Sequence, residues 1–285
     1  MSLRQTFSRY YWLAKPGIVY GNTIAFVAGY FAYASTLFIN FYDFLLALVG
    51  VALVMGSSCV ANNMYDRDID GKMARTKRRA LVVDDISLRH ALIYAAVLLV
   101  TGVALLFVSS GIVGALLGVV GWIMYAIVYT RAKRRTRHAT LIGTIPGAIP
   151  PVIGYVAAGG SIDIVAALLF IAMVGWQMVH FFAIALFRKS DYKAAGIPVM
   201  PIATSDQHTI LEMKLYAVLF VVSAIALGYW FGMIYTILTV LLCLWMLNKL
   251  YTKHTDTTTW GRNQFKTSLL VLLIWSAIVV VAAVL

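Results

Sequence analysis

The chain has 285 residues, of which 62% are hydrophobic and only 12% charged, and its mean hydropathy of +0.87 excludes a water-soluble domain and makes it an integral membrane protein. The net charge of +12 would suit nucleic acid, but its placement follows a membrane instead, so a nucleic-acid partner is excluded. Two cysteines, Cys59 and Cys243, both lie in apolar runs, which excludes a disulfide framework and a Cys-rich metal site.

A membrane crossing needs about 20 apolar residues for about 30 Å of hydrocarbon. That ruler predicts a single all-α domain of nine transmembrane helices around a central apolar cavity, at 17–35, 38–61, 88–109, 111–130, 139–158, 162–187, 213–231, 233–252 and 266–285. All 23 Lys and Arg fall before span 1 or in and around the loops after spans 2, 4, 6 and 8. The short connections after spans 1, 3, 5 and 7 carry none. The positive-inside rule then places the N-terminus in the cytoplasm and the C-terminus outside.

Residues 1–15 carry Arg4, Arg9, Phe7, Tyr10, Tyr11 and Trp12, which predicts an interfacial helix on membrane lipid and no cleavable signal peptide. Lys15-Pro16-Gly17 ends it. Asn22, early in span 1, is either a site residue or a helix-to-helix hydrogen bond. Span 2 passes through Gly56, Ser57 and Ser58, small residues that permit close helix approach and a central position.

Span 2 delivers Asn62, Asp66 and Asp70, then six cations in thirteen residues: Arg67, Lys72, Arg75, Lys77, Arg78 and Arg79. Positions i, i+4 and i+8 of a helix drift by only about 40° per step, so the three oxygen-bearing side chains share a face. Two carboxylates and an amide suit Mg²⁺, which keeps waters and shares substrate phosphate oxygens; the cations suit a diphosphate. Asp68 points away from that face and reads as a solvated cap. The loop at 66–88 is the first of two charged cytoplasmic loops.

Spans 3 and 4 form a hairpin at Ser109-Ser110-Gly111. Span 4 ends at Tyr125 and Tyr129, ahead of a second basic cluster, Arg131, Lys133, Arg134, Arg135 and Arg137, with His138. Span 5 is interrupted by Gly143, Pro146, Gly147, Pro150, Pro151 and Gly154, which predicts a kinked helix sheltered by neighbours or lining a cavity. Span 6 holds Trp176, Gln177 and His180 and runs into the second charged loop, 188–212, with Arg188, Lys189, Asp191 and Lys193. Spans 7 to 9 read as scaffold and cavity wall. The offset between spans 1 to 4 and 5 to 8 hints at an internal duplication.

Asn62-x3-Asp66-x3-Asp70, with Arg67 and Arg75-Thr76-x2-Arg79, resembles the first aspartate motif of the UbiA superfamily of intramembrane prenyltransferases. Pro150-Pro151-x2-Gly154, Trp176-Gln177-Met178, His180 and Phe187-Arg188-x2-Asp191-Tyr192-x2-Ala195-x-Ile197-Pro198-x2-Pro201 are similar to its haem-farnesylating branch, over essentially the whole chain. The resemblance implies Mg²⁺-dependent transfer of a farnesyl group from farnesyl diphosphate to a vinyl group of haem b, with addition of water, giving haem O. It implies that Asn62, Asp66 and Asp70 hold the metal and that Asp191 completes the catalytic set. Arg67, Lys72, Arg75, Arg79, Arg188 and Lys193 would bind diphosphate, and His180, Trp176, Lys133 and Arg134 would bind haem. The implied setting is the cytoplasmic membrane, with the active site facing the cytoplasm, beside a haem A synthase or a terminal oxidase. Competing readings are a prenyltransferase with a quinone-precursor or chlorin acceptor, a transporter, and a non-catalytic haem chaperone.

Overall fold

The computed structural model describes residues 3–34, 40–253 and 255–284, and among them it is helical with no strand. The span boundaries expected at 35, 38 and 285 lie outside the described residues. The surface helix α1 (Leu3–Leu13) leads to α2 (Pro16–Phe31), α3 (Phe41–Tyr65) and the single turn α4 (Arg67–Asp70). Then come α5 (Leu88–Ile123), a π-helical turn (Met124–Tyr129), α6 (Thr130–Ala132), α7 (Ala139–Ala157) and α8 (Ile164–Phe187). Two short helices, α9 (Lys189–Ala194) and α10 (Met200–Ala203), precede α11 (Asp206–Ala226), α12 (Gly228–Tyr251) and α13 (Thr257–Val284).

Seven helices among the described residues are long and apolar enough to cross a membrane, counting Leu88–Ala132 as one. Nine spans were expected, and the difference has two sources. Helix α2, at 16 residues, is shorter than the about 20 of an ordinary crossing, although it leads from Lys15, beside the end of α3, back to the start of α3. Leu88–Ala132 is a single stretch that folds back on itself: Gly111 takes φ 63°, ψ −163°, and a Cβ on Gly118 would come within 2.6 Å of Leu106. Residues 12 apart in a straight helix would be about 18 Å apart. A second reversal occurs at Gly232, φ 84°, where Tyr235 donates to the Ala224 carbonyl at 2.8 Å.

Lipid is as apolar as leucine, so helices here are held by close approach and by polar bonds. The small residues of α3 meet that need: Gly50 stands against the Gly102 carbonyl of α5, and Ser57 donates to the Ala95 carbonyl at 2.7 Å while accepting from Trp122 at 3.0 Å. Asn22 donates to Ile18 of its own helix at 2.8 Å and makes no interhelical hydrogen bond among the described residues. The three prolines of α7 leave it a single element, because neighbours enclose it. A Cβ on Gly154 would lie 2.2 Å from the Phe26 carbonyl, and one on Gly29 would lie 1.9 Å from the Pro151 carbonyl. Helix α7 thus joins the core built on α2, α3 and α5 to the larger one of α8, α11, α12 and α13. Where apolar space was expected at the centre, Val54, Met55, Leu117, Ile149, Pro150 and Ile153 line a narrow cleft with room for little more than a water molecule.

Candidate active site

The site begins where α3 stops. Asp66 has left the helical region, at φ −89°, ψ 1°, so the uninterrupted helix face expected through Asn62, Asp66 and Asp70 is broken at its middle member. The ladder nonetheless continues, Asp66 N–H donating to Asn62 at 3.0 Å and Asp70 N–H to Asp66 at 2.8 Å. All three side chains therefore stay inside, 2%, 1% and 3% exposed.

Buried carboxylates need compensating charge or hydrogen bonds, and cations from three segments gather around this motif. Lys133, after α6, pairs with Asp66 Oδ2, and Arg79 pairs with Asp70 at 2.5 Å while donating to Asn63 at 2.9 Å. Lys15, held at φ 52° before Pro16, donates to Asn62 at 2.5 Å. Its ammonium is enclosed, and burial pushes its pKa down to about 7; Cys59 and Asp66 oppose that, and Arg79 and Lys133 reinforce it. Burial likewise lowers Lys133, with Asp66 opposing. Arg134 makes a two-pronged pair with exposed Asp68 at 2.8 and 2.6 Å, which holds that carboxyl below its usual range.

Two atoms of the site, Asp66 Oδ1 and Arg134 Nε, are left over. Asp66 Oδ1 is buried and accepts no hydrogen bond among the described residues, although the Arg134 guanidinium lies 3.5 Å away. No three His, Cys, Asp or Glu side chains gather into a closed metal cage among the described residues. Two carboxylates and an amide with a spare buried oxygen fit a magnesium ion, which completes its shell with water and phosphate.

The second charged loop folds over the first. Ile69 and Met73 pack with Ala195 and Ile197, flanked by Tyr192 and Val199, in an apolar cluster of their own. Asp191 is largely enclosed and lies 3.8 Å from Arg188, and Lys189 ties the loop to α11 through Asp206 at 2.7 Å. Burial raises the pKa of Tyr192, with Arg75 of the first loop the leading opposing charge. Lys72 and Arg75 are exposed, and Arg67 is engaged by Asp84 at 2.5 Å.

The residues assigned to haem divide. Trp176 and His180 of α8 lie together, rings stacked 5.1 Å apart, and both bond to Ser268 of α13. Lys133 and Arg134 stand instead with Asp66 and Asp68, so the structure does not gather the four into one cluster. Gln177 donates to the Thr144 carbonyl at 3.2 Å, tying α8 to α7. Sequence reasoning missed Lys15, Asn63 and Thr130. Thr130 accepts from Asn62 at 2.8 Å and donates back to Tyr125 at 2.8 Å, a reach of five residues made by the π-helical turn; such turns concentrate at functional sites. The Lys-Pro pair was visible as a helix break, and nothing in it signalled a 47-residue reach to Asn62.

Residues 23–276 match the model of the UbiA prenyltransferase family. The chain belongs to the UbiA prenyltransferase family. Among curated members of this prenyltransferase family, it is 40% identical to a protoheme IX farnesyltransferase of Vibrio campbellii over 93% of each chain. It is also 40% identical to one of Pseudomonas fluorescens over 89% of this chain and 87% of that one. Its fold is that of solved UbiA structures. A digeranylgeranylglyceryl phosphate synthase superposes with a TM-score of 0.80 over 98% of this chain and 99% of that one, at 19% identity. A UbiA homologue of Archaeoglobus fulgidus solved with DMAPP and Mg²⁺ gives 0.68 over 95% and 99%, at 17% identity. With its long apolar helices, this UbiA member is a multi-pass membrane protein.

Proposed function

We propose that this UbiA protein is a protoheme IX farnesyltransferase, moving the farnesyl group of farnesyl diphosphate to a vinyl group of haem b with addition of water, to give haem O and diphosphate. The observation that carries the reading is the buried Asp66 carboxylate, ringed by cations yet with one oxygen that accepts no hydrogen bond among the described residues, in a chain 40% identical to proteins of that name.

The leaving diphosphate must be held while negative charge builds on it. Asn62, Asp66 and Asp70 would hold Mg²⁺, which when bound supplies charge neutralisation on the diphosphate oxygens. Lys15, Lys133 and Arg79 already stand on those three residues. Their ammonium and guanidinium groups can turn from these amide and carboxylate oxygens to phosphate without leaving the site, and donors held in a water-poor site act strongly on developing charge. Arg67, Lys72, Arg75, Arg188 and Lys193 line the loops through which the diphosphate arrives. The two loops close over the head group through Ile69, Met73, Ala195 and Ile197 and exclude water from the allylic cation. Asp191, enclosed beside Arg188, orients that guanidinium. His180 and Trp176 take the haem, imidazole being a common axial ligand of haem iron. The charged ends face the cytoplasm, with the N-terminus on that side.

The test is mass spectrometry of haems extracted after incubating purified protein with haem b, farnesyl diphosphate and Mg²⁺, beside Asp66→Ala. The expected result is a haem heavier by one farnesyl group plus water, absent in the variant. Folded, haem-binding protein that yields no such product would overturn the reading and leave another acceptor or a chaperone role.

A further inference from the structure

The interior of α13 holds one hydroxyl whose hydrogen bonds decide the chemistry of its neighbour. Ser268 is 1% exposed and uses every polar atom it can direct at α8. Its backbone carbonyl accepts from the Trp176 indole at 2.7 Å. Its Oγ lies 2.8 Å from His180 Nδ1 and 2.7 Å from the Phe265 carbonyl, to which a helical serine usually returns its proton.

A hydroxyl has one proton. With that proton on the Phe265 carbonyl, Oγ can only accept from His180, so Nδ1 must carry the imidazole hydrogen. We infer that Ser268 is a positioning residue, which fixes His180 in the Nδ1–H tautomer and leaves Nε2 as a bare lone pair aimed away from α13. The ring cannot turn out of this arrangement easily: Trp176 stacks on it at 5.1 Å, 20° from parallel, and Phe265 stands 4.9 Å away. Nε2 has no hydrogen bond among the described residues, and the ring is only partly exposed. A bare Nε2 is what a metal-ligating imidazole presents, its other nitrogen bonded to a fixing partner. The use of that lone pair rests on the haem reading proposed above; the tautomer itself does not.

Two measurements on the full chain in lipid nanodiscs separate the two. Ring ¹⁵N NMR of histidine-labelled protein, with the His180 signals assigned by their loss in His180→Gln, should show protonated Nδ1 and bare Nε2. Ser268→Ala, which keeps the carbonyl held by Trp176, should move His180 toward the Nε2–H form, and Ser268→Thr should restore the native pattern. Haem b titration by absorbance should then show Ser268→Ala binding about 10- to 100-fold more weakly, as loss of a partner behind a ligand commonly does. It should also show a displaced Soret band, with the KM for farnesyl diphosphate unchanged and Ser268→Thr close to native. An Nε2–H tautomer in the native protein, or no tautomer change in Ser268→Ala, would overturn the inference. The expected tautomers together with unaltered haem affinity and spectrum in His180→Gln would sustain the role of Ser268 in setting the ring and overturn the haem reading.

Discussion

Asp66 and Asp68 stand two positions apart; the first is 1% exposed, while the side chain of the second is 62% exposed and faces Arg134. Burial decides what each can do. A carboxylate in a closed site acts on developing charge with little screening, whereas an exposed pair is worth at most about 1 kcal/mol. Asp66→Asn is therefore expected to lower kcat by about 100- to 1000-fold with the fold intact, and Asp68→Asn by less than about 5-fold; product formation measured for both variants beside their helix content checks this. The spacing of the acids was enough to separate them in the sequence. The identity of the cations that meet them was not: Arg67, closest in sequence, is spent on Asp84, and the site's ammonium groups come from positions 15 and 133.

Elements are placed by their ends. Asp163 caps α8, its Oδ1 accepting from the amides of Val165 at 2.9 Å and Ala166 at 3.1 Å, with Tyr155 donating to Oδ2 at 3.0 Å. Burial alone would raise this carboxyl, but those amides and the hydroxyls of Tyr155 and Ser161 outweigh it, and its pKa lies below the usual aspartate value. With the folded pKa depressed, the cap contributes fully above about pH 4, the unfolded value, and its contribution is lost as pH falls through the folded one. Asp163→Ala should cost about 1 kcal/mol at neutral pH, and the gap to the native protein should shrink below about pH 4; thermal unfolding in detergent from pH 7 to pH 3 measures it. The apolar length of α3, α7 and α8 was legible residue by residue. The π-helical turn at Met124–Tyr129 was not, because the Thr130 hydroxyl that follows it bonds to Asn62 on another helix.

Over the whole molecule, the second charged loop closes on the first through four apolar residues, Ile69, Met73, Ala195 and Ile197, at 6%, 5%, 8% and 5% exposure. Placing a charge in that cluster leaves the transmembrane packing untouched and separates the loops. Ile197→Asp should lower kcat/KM by about 100-fold, the scale at which small misplacements of reacting groups act, and should open the 72–85 segment to protease without shifting the thermal unfolding of the bundle. Limited proteolysis beside kinetics tests both halves; unchanged kinetics would remove the closure from the mechanism.

The sequence by itself determined the membrane setting, the helical class and the three-residue motif, because hydropathy and i, i+4 spacing are local properties that each segment carries alone. It also pointed to Gly111 as a chain reversal, since two serines followed by a glycine interrupt the apolar run. Only the tertiary structure decided that α7 stays one helix despite three prolines, that Lys15 and Lys133 meet Asn62 and Asp66, and that Ser268 stands behind His180. Each of these is a contact between residues 47 to 88 positions apart, or between backbones brought together by glycines on two helices. Such contacts arise from how the helices pack, and no single stretch of the chain holds that information.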